Sequence, residues 1–423
     1  MRVCMVVPRY PPDRCGVGDY AYLLAQHLAH LGVSVDVLTS RRPSRLMTLQ
    51  PDERERAGVA GVRVLPLIDD WGWQSLLDIC AVVRAGRYDV VHVQYQNEMY
   101  GRSASITALP LALRLLRVRV PTIVTVHDYG TPWPRRIRVR LLAGPYGKVW
   151  FAVMLLASLR IILTNEQDEF RFLRQRWHYP VPAARYTTIP VGSNLPVPLV
   201  VHDVNVSDDP IPAPDVPEQQ RQQGLLASTE VVTVGYFGFV NPAKGIDTLM
   251  EGFALARRGK PRLRLIMICE LNKTVPYHQE LRERISRADL RDFVTLTGKL
   301  DDAQAAERLA HCDIVALPFR DGVSLRRTTL MAALALSCPV ISTIATVPPK
   351  NVVAGRDLVL IPPGDTEALA RVIVELADDP AQRALLGRHA REAARAFAWP
   401  TIAERTTQLY RQVATQSGRG SAR

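Results

Sequence analysis

The chain has 423 residues, 47% hydrophobic and 22% charged, with a formal net charge of +12 at pH 7. That length is generous for one α/β unit and suits two, and the composition is that of an ordinary globular protein rather than a fibrous or disordered one. No apolar run reaches the roughly 18 residues of a membrane span, and the opening MRVCMVVPRYPPD breaks at Pro11-Pro12 too early for a signal peptide. The six cysteines are scattered without a CxxC pair, which argues for packed, reduced thiols in a cytoplasm and against a zinc site or a disulfide framework.

Residues 1–200 hold 25 Lys and Arg against 15 Asp and Glu, whereas the remainder holds 28 against 26. A basic N-terminal half suggests an anionic partner surface, phospholipid or nucleic acid, although a genome-wide enrichment in arginine would look the same. No recognition motif or aromatic–basic repeat accompanies the charge, so nucleic acid is disfavoured.

In chain order, an apolar strand at residues 2–8 leads through a loop to a helix at 19–31, ended by Gly32. Further short strands fall at 33–38, 62–67, 90–93, 122–126 and 160–163, with a helix at 106–116 and a closing strand at 187–190. Residues 195–229 are rich in Pro, Asp and Gln without sustained period and read as an interdomain linker. The alternation restarts with strands at 231–236, 264–268, 293–296, 313–318 and 358–361 and one opening at 340. Helices are expected at 246–257, 278–286, 302–310 and 326–336, and three more helical segments run to about 413. Strands alternating with helices predict parallel sheets covered on both faces. The expected architecture is α/β, two Rossmann-like doubly wound domains facing across a cleft.

The stretch ALPFRDGVSLRRTTLMAALALSCPVI, residues 316–341, reads as strand, polar turn with Gly322, helix and next strand. The turn after such a strand is where open α/β sheets bind ligands. Helix N-termini favour anions, so Arg326 and Arg327 in the expected first turn oppose the dipole unless they pack or bind an anion. A solvated charged face is the plain alternative; a phosphate site is the reading taken. Gly16-Val17-Gly18-Asp19 is placed between the first strand and its helix, where glycines would let a ligand approach the backbone, but no third glycine completes the dinucleotide fingerprint. His127-Asp128 follows the strand at 122–126, positioned to hydrogen-bond a sugar hydroxyl or pass a proton. Lys244, in the glycine-flanked loop from Gly238 to Gly245, is placed to neutralise phosphate, and its spacing is not that of a P-loop.

The segments PPDRCGVGDYAYLLAQHLAHLG, YDVVHVQY, TIVTVHD, IPVGSN, VGYFGFVNPAKGIDTL, VTLTGKL, CDIVALPFRDG, LALSCPVIST and FAWPTIAERTTQLY follow in an order and spacing that resemble a family-4-type glycosyltransferase of the GT-B fold. The likeness covers nearly the whole chain. It implies an N-terminal acceptor domain at 1–194, a donor domain at 230–400, and a C-terminal helix at 401–423 that crosses back to the first domain before a disordered tail. It further implies retaining transfer of a hexose-type sugar from a nucleotide-diphosphate donor to a glycan or lipid-linked acceptor. No metal or cofactor is expected, because basic side chains stabilise the leaving diphosphate. The residues that would carry catalysis are His127, Lys244, Arg326 and Asp321. Those that would hold the donor are Gly16, Gly18, Gly238, Lys244, Asp321, Ser324, Arg326, Arg327 and Thr329.

Two departures from the family pattern matter. An arginine usually follows the glycine of the first loop in the donor domain; here the position is Phe239. Two glutamates seven residues apart usually hold the sugar and the ribose; anchoring on Cys338-Pro339 puts Ser324 and Ala332 there, and matching Asp321-Gly322 to the family's Glu-Gly instead needs three inserted residues. The working hypothesis is that Arg326 or Arg327 supplies the cation lost at Phe239, with Asp321 or Ser324 on the sugar hydroxyls. Residues 133–160 set basic residues beside Tyr146, Trp150 and Phe151, which suits an interfacial element on an anionic membrane surface, or alternatively a buried helix with a solvated basic flank. The interfacial reading would place a cytoplasmic enzyme at the inner face of the cell membrane. The absent carboxylates also fit a noncatalytic nucleotide-sugar-binding subunit, and sugar-nucleotide epimerisation is a further GT-B chemistry.

Overall fold

The computed structural model describes residues 1–13, 15–41, 60–101, 103–128, 140–165, 181–196, 231–287 and 290–420, with side chains omitted at 140–145 and 417–420. Most of the expected linker, 197–229, and the start of the expected interfacial stretch, 133–139, lie outside the described residues.

Two parallel sheets organise the chain. The first contains β1 (Arg2–Val6), β2 (Ser34–Ser40), β3 (Val62–Ile68), β4 (Val90–Tyr95), β5 (Thr122–Val126), β6 (Arg160–Leu163) and β7 (Tyr186–Thr188), in the order β3-β2-β1-β4-β5-β6-β7. The second contains β8 (Val232–Phe237), β9 (Leu263–Ile268), β10 (Val294–Leu296), β11 (Ile314–Leu317), β12 (Val340–Thr343) and β13 (Val359–Ile361), in the order β10-β9-β8-β11-β12-β13. Every residue of β4, β5, β11 and β12 is buried, as expected when helices cover both faces of a parallel sheet. In each sheet the strand order reverses once, between β1 and β4 and between β8 and β11, which creates two topological switch points.

The helices of the first half are α1 (Gly16–His30), α2 (Trp73–Gly86), α3 (Ser105–Leu115) and α4 (Arg140–Ala157). Those of the second are α5 (Ile246–Gly259), α6 (Pro276–Ile285), α7 (Asp302–Ala310), α8 (Thr328–Ala335), α9 (Thr366–Asp378), α10 (Pro380–Ala394) and α11 (Trp399–Gly420). Three boundaries differ from expectation for physical reasons. Helix α1 starts at Gly16, not 19, because extended Cys15 is already its N-cap. Helix α8 starts at Thr328, two residues late, because Val323 N donates to Thr343 O at 2.9 Å and buried Leu325 anchors the turn, leaving Arg327 as an extended N-cap. Helix α11 runs on to Gly420, through most of the tail expected to be disordered.

That last helix returns to the first sheet. Its Ile402, Ala403, Thr406, Leu409, Tyr410 and Val413 are buried, and each large apolar side chain so buried contributes roughly 1.5–3 kcal/mol. Trp399 Nε1 donates to Ser193 O at 2.7 Å, and the Arg405 guanidinium donates to Thr188 O at 2.7 Å. The Trp399 indole also lies 5.3 Å from the Tyr20 ring of α1. Gly192 makes room for it, since a Cβ there would fall 2.6 Å from the indole. All six cysteines are unpaired and five are buried; burial pushes the thiols of Cys4, Cys269 and Cys312 up to about 12.

Candidate functional site

At the switch point of the second sheet, the loops after β8 and β11 are built around one another. Gly238 has φ +133°, a conformation that favours glycine, and a Cβ there would approach the Thr329 methyl to 2.6 Å. Asn241 Oδ1 accepts from Ala243 N at 3.1 Å and starts the short turn Pro242–Lys244. Arg320 N donates to Ala243 O at 3.0 Å, and the Arg320 side chain pairs with Asp247, pinning the β11 loop to the β8 loop.

Between the loops lies the fully buried ring of Phe319. Lys244 Nζ stands 5.1 Å from its centroid and the Arg327 guanidinium carbon 4.6 Å, so two cations share one aromatic face region. Asp321 pairs with Arg327 and, at 3.2 Å, with Arg326. Three cations therefore meet one carboxylate. Burial lowers the Lys244 amine to about 8, with Arg327 and Arg326 adding to the shift and Asp321 opposing it. Burial lowers the Arg327 guanidinium as well. Among the described residues Arg327 Nε and Thr329 Oγ1 are buried and have no hydrogen-bond partner. A buried polar atom left unpaired costs about 1–3 kcal/mol, and two at one cationic turn mark a place suited to an anion's oxygens.

The first sheet builds a different edge. His127 follows β5, and its Nε2 lies 2.8 Å from Gln94 Oε1. An amide oxygen only accepts, so Nε2 carries the proton and Nδ1 is the acceptor. Burial lowers the ring to about 3, so His127 is neutral at physiological pH. It can accept a hydrogen bond from a hydroxyl through Nδ1, and it holds no acidic proton to donate at that pH. Tyr20 of α1 stands edge-on at 4.7 Å between ring centroids.

Gly238, Lys244, Asp321, Arg326, Arg327 and Thr329 thus gather at one switch point. Ser324 is buried in the turn, 3.5 Å from Arg326 N. Gly16 and Gly18 belong to the first sheet and lie in the first turn of α1 rather than in a loop. A Cβ on Gly16 would meet open space, whereas one on Gly18 would come 2.7 Å from Arg9 O. The glycine at 18 therefore answers to helix–loop packing, and only Gly16 leaves room for a ligand. The Phe239 side chain is 81% exposed, and its carbonyl accepts from Tyr236 Oη at 3.0 Å. Ala332 is buried within α8. Sequence reasoning missed Phe319, Arg320 and Gln94; the aromatic between strand and turn in LPFRDG, and the polar alternation in HVQ, were the available signals.

Within α4, Phe151, Met154 and Leu155 are buried, so that part of the basic–aromatic stretch is core. Tyr146 and Val149 are exposed, and Trp150 meets exposed Trp73 of α2 at 5.1 Å. Among the described residues no helix is long and apolar enough to cross a membrane.

Two doubly wound parallel sheets, one in each half of the chain, are the architecture of the GT-B fold. Sucrose-phosphate synthase from Thermosynechococcus elongatus superposes with a TM-score of 0.68 at 20% identity, covering 98% of this chain and 100% of that one. The Anabaena HepE structure in complex with UDP gives 0.66 at 18% identity, covering 97% and 100%. Residues 15–192 match the glycosyl transferase 4-like domain and residues 230–379 the glycosyl transferases group 1 family. Relatives include a D-inositol 3-phosphate glycosyltransferase of Kineococcus radiotolerans, 25% identical over 95% of this chain and 91% of that protein. Another is an MMP alpha-(1->4)-mannosyltransferase of Mycolicibacterium hassiacum, 26% identical over 97% and 98%. The chain belongs to the GT-B glycosyltransferases.

Proposed function

We propose that this glycosyltransferase moves a hexose-type sugar from a nucleotide-diphosphate donor to a glycan or lipid-linked acceptor, with retention of anomeric configuration and without a metal. The observation that carries the reading is the Lys244–Arg326–Arg327 cluster around Phe319, with one carboxylate against three cations and two orphaned donors. Departure of the nucleoside diphosphate is the largest electrostatic demand of such a reaction, and preorganised cations in a partly dry site meet it without reorganisation. Arg327 then stands in for the cation missing at Phe239, and displacement of its salt bridge frees Asp321 toward the sugar hydroxyls. Neutral His127 offers Nδ1 to a hydroxyl of the same sugar. In this reading residues 230–400 hold the donor, residues 1–194 the acceptor, and the anion-rich donor supplies the negative charge the cluster lacks; the Anabaena neighbour's structure is a complex with UDP. Exposed Trp73, Tyr146 and Val149 on the basic half favour an acceptor presented at an anionic membrane surface.

Purified protein is screened by thermal shift against common nucleotide-sugars in EDTA, and release of nucleoside diphosphate is then followed with and without candidate acceptors. Stabilisation by one donor with slow release of its diphosphate is the expected result. Stabilisation without release on any acceptor would instead make the chain a nucleotide-sugar-binding subunit, a reading that the missing glutamate positions, Ser324 and Ala332, favour.

A further inference from the structure

A continuous polar ladder runs beneath α1 and α11 on one face of the first sheet. On β4, His92 and Gln94 alternate and share a face; on β5 and its end, Thr125 and His127 do the same, and Gln94 is in register with Thr125. His92, Gln94, Thr125 and Tyr410 are each fully buried. His92 Nδ1 lies 2.6 Å from Tyr410 Oη and Nε2 2.7 Å from Thr125 Oγ1, so both ring nitrogens are engaged. Gln94 Nε2 is 3.4 Å from each of those nitrogens, lodged against the ring, which turns its Oε1 toward His127 Nε2 at 2.8 Å.

Stability alone does not account for this arrangement. An apolar set of the same shape holds a sheet and a helix together as well or better, because a hydrogen-bonded buried pair returns little beyond its desolvation. What apolar residues cannot do is choose which nitrogen of His127 carries the proton. We propose that the ladder Tyr410–His92–Gln94 fixes the tautomer and rotamer of His127, holding Nε2–H on Gln94 and Nδ1 as the free acceptor. Gln94, His92 and Tyr410 are then positioning residues, and seating of the last helix, 318 residues from His92 in sequence, becomes a condition for a competent first-sheet edge. The proposal rests on the preceding reading at one point, that His127 meets the donor sugar.

Nitrogen-15 histidine spectra of the full-length protein report the tautomer directly, without donor or activity. The expected result is a neutral His127 with Nε2 protonated in the wild type, and a mixture of tautomers in Tyr410→Phe and Gln94→Leu. In both variants kcat falls roughly tenfold to a hundredfold, the scale of a reacting group misplaced by about 1 Å, while donor KM stays nearly unchanged. Gln94→Glu keeps the shape but puts a carboxylate on Nε2–H, so imidazolium becomes favoured and His127 titrates measurably closer to neutrality. Of the titratable rings nearby, Tyr20 of α1 packs on His127, and His92 of β4, 3.4 Å from residue 94 and bonded to Tyr410 of α11, feels the same carboxylate, so its signal is followed separately. A wild-type His127 protonated on Nδ1 would overturn the ladder, as would Tyr410→Phe and Gln94→Leu proteins that keep both the wild-type tautomer and the wild-type kcat. Should His127→Ala leave kcat intact, the sugar-contact reading fails by itself, and the tautomer spectra still decide whether the ladder sets the ring. Thermal melts of each variant separate these outcomes from loss of fold.

Discussion

The two sheets have the same strand logic and place opposite chemistries at the C-terminal edges of their central strands. The first surrounds neutral His127 with other neutral polar groups, all buried, and suppresses its ionisation by burial. The second collects charge, stacking Lys244 and Arg327 on Phe319 and answering three cations with one carboxylate. Orientation is the product of the first arrangement and potential of the second. A sugar hydroxyl needs a directed acceptor, which a fixed tautomer supplies. A departing diphosphate needs positive charge, which a desolvated cluster supplies with greater effect than the same charges in water.

Removing charge from the second edge should have the largest effect. Arg327→Ala is expected to lower kcat/KM about 10²–10³-fold, the range for loss of one donor at developing charge, with the fold intact by circular dichroism. Arg326→Ala falls less, because its side chain is 34% exposed against 12% for Arg327. Equal activity in both variants and wild type would remove the cluster from the reaction. Lys244 sharpens the same point through pH. Its binding form is the ammonium, present below about 8 and lost above it, so nucleoside diphosphate affinity should weaken toward tenfold per pH unit above 8. In Lys244→Arg the guanidinium stays charged, and that decline should vanish from calorimetric titrations over the same range.

Removing the indole at Trp399 loosens the return of α11 and reaches the first edge only through Tyr20, which packs on both Trp399 and His127. Trp399→Ala should reduce unfolding free energy by about 3 kcal/mol, the low end for an aromatic truncation because this ring is partly exposed, measurable by urea denaturation. The smallest expected effect is an absence. Because His127 is held neutral down to about 3, kcat should show no inflection near 6.5 that disappears in His127→Gln.

Most of the fold was legible, since strands such as VVHVQY and IVAL are buried on both faces and therefore read as short apolar runs between helical periods. The edges of helices were less legible. Gly16 and Gly18 looked like loop because glycine is permissive, yet one helixes freely against open space and the other is required by Arg9 O. Arg326 and Arg327 looked helical because nothing local shows that Val323 is tied to Thr343, twenty residues on. At the site, the cations and Asp321 could be named from the turn that holds them, but Phe319, which joins Lys244 to Arg327, is apolar and carried no chemical flag. The ladder was beyond reach of local reasoning, since the groups that explain His92 and Gln94 come from α11 and from the end of β5.

In the proposed reaction the Phe319-centred cluster holds the donor's diphosphate. Calorimetric titration of wild type and Arg327→Ala with UDP, GDP and ADP in EDTA tests it most directly. One nucleoside diphosphate is expected to bind the wild type at pH 7 and to bind Arg327→Ala at least tenfold more weakly, a loss of about 1.4 kcal/mol. Equal affinity in the two proteins, or no binding of any of the three by the wild type, would contradict it.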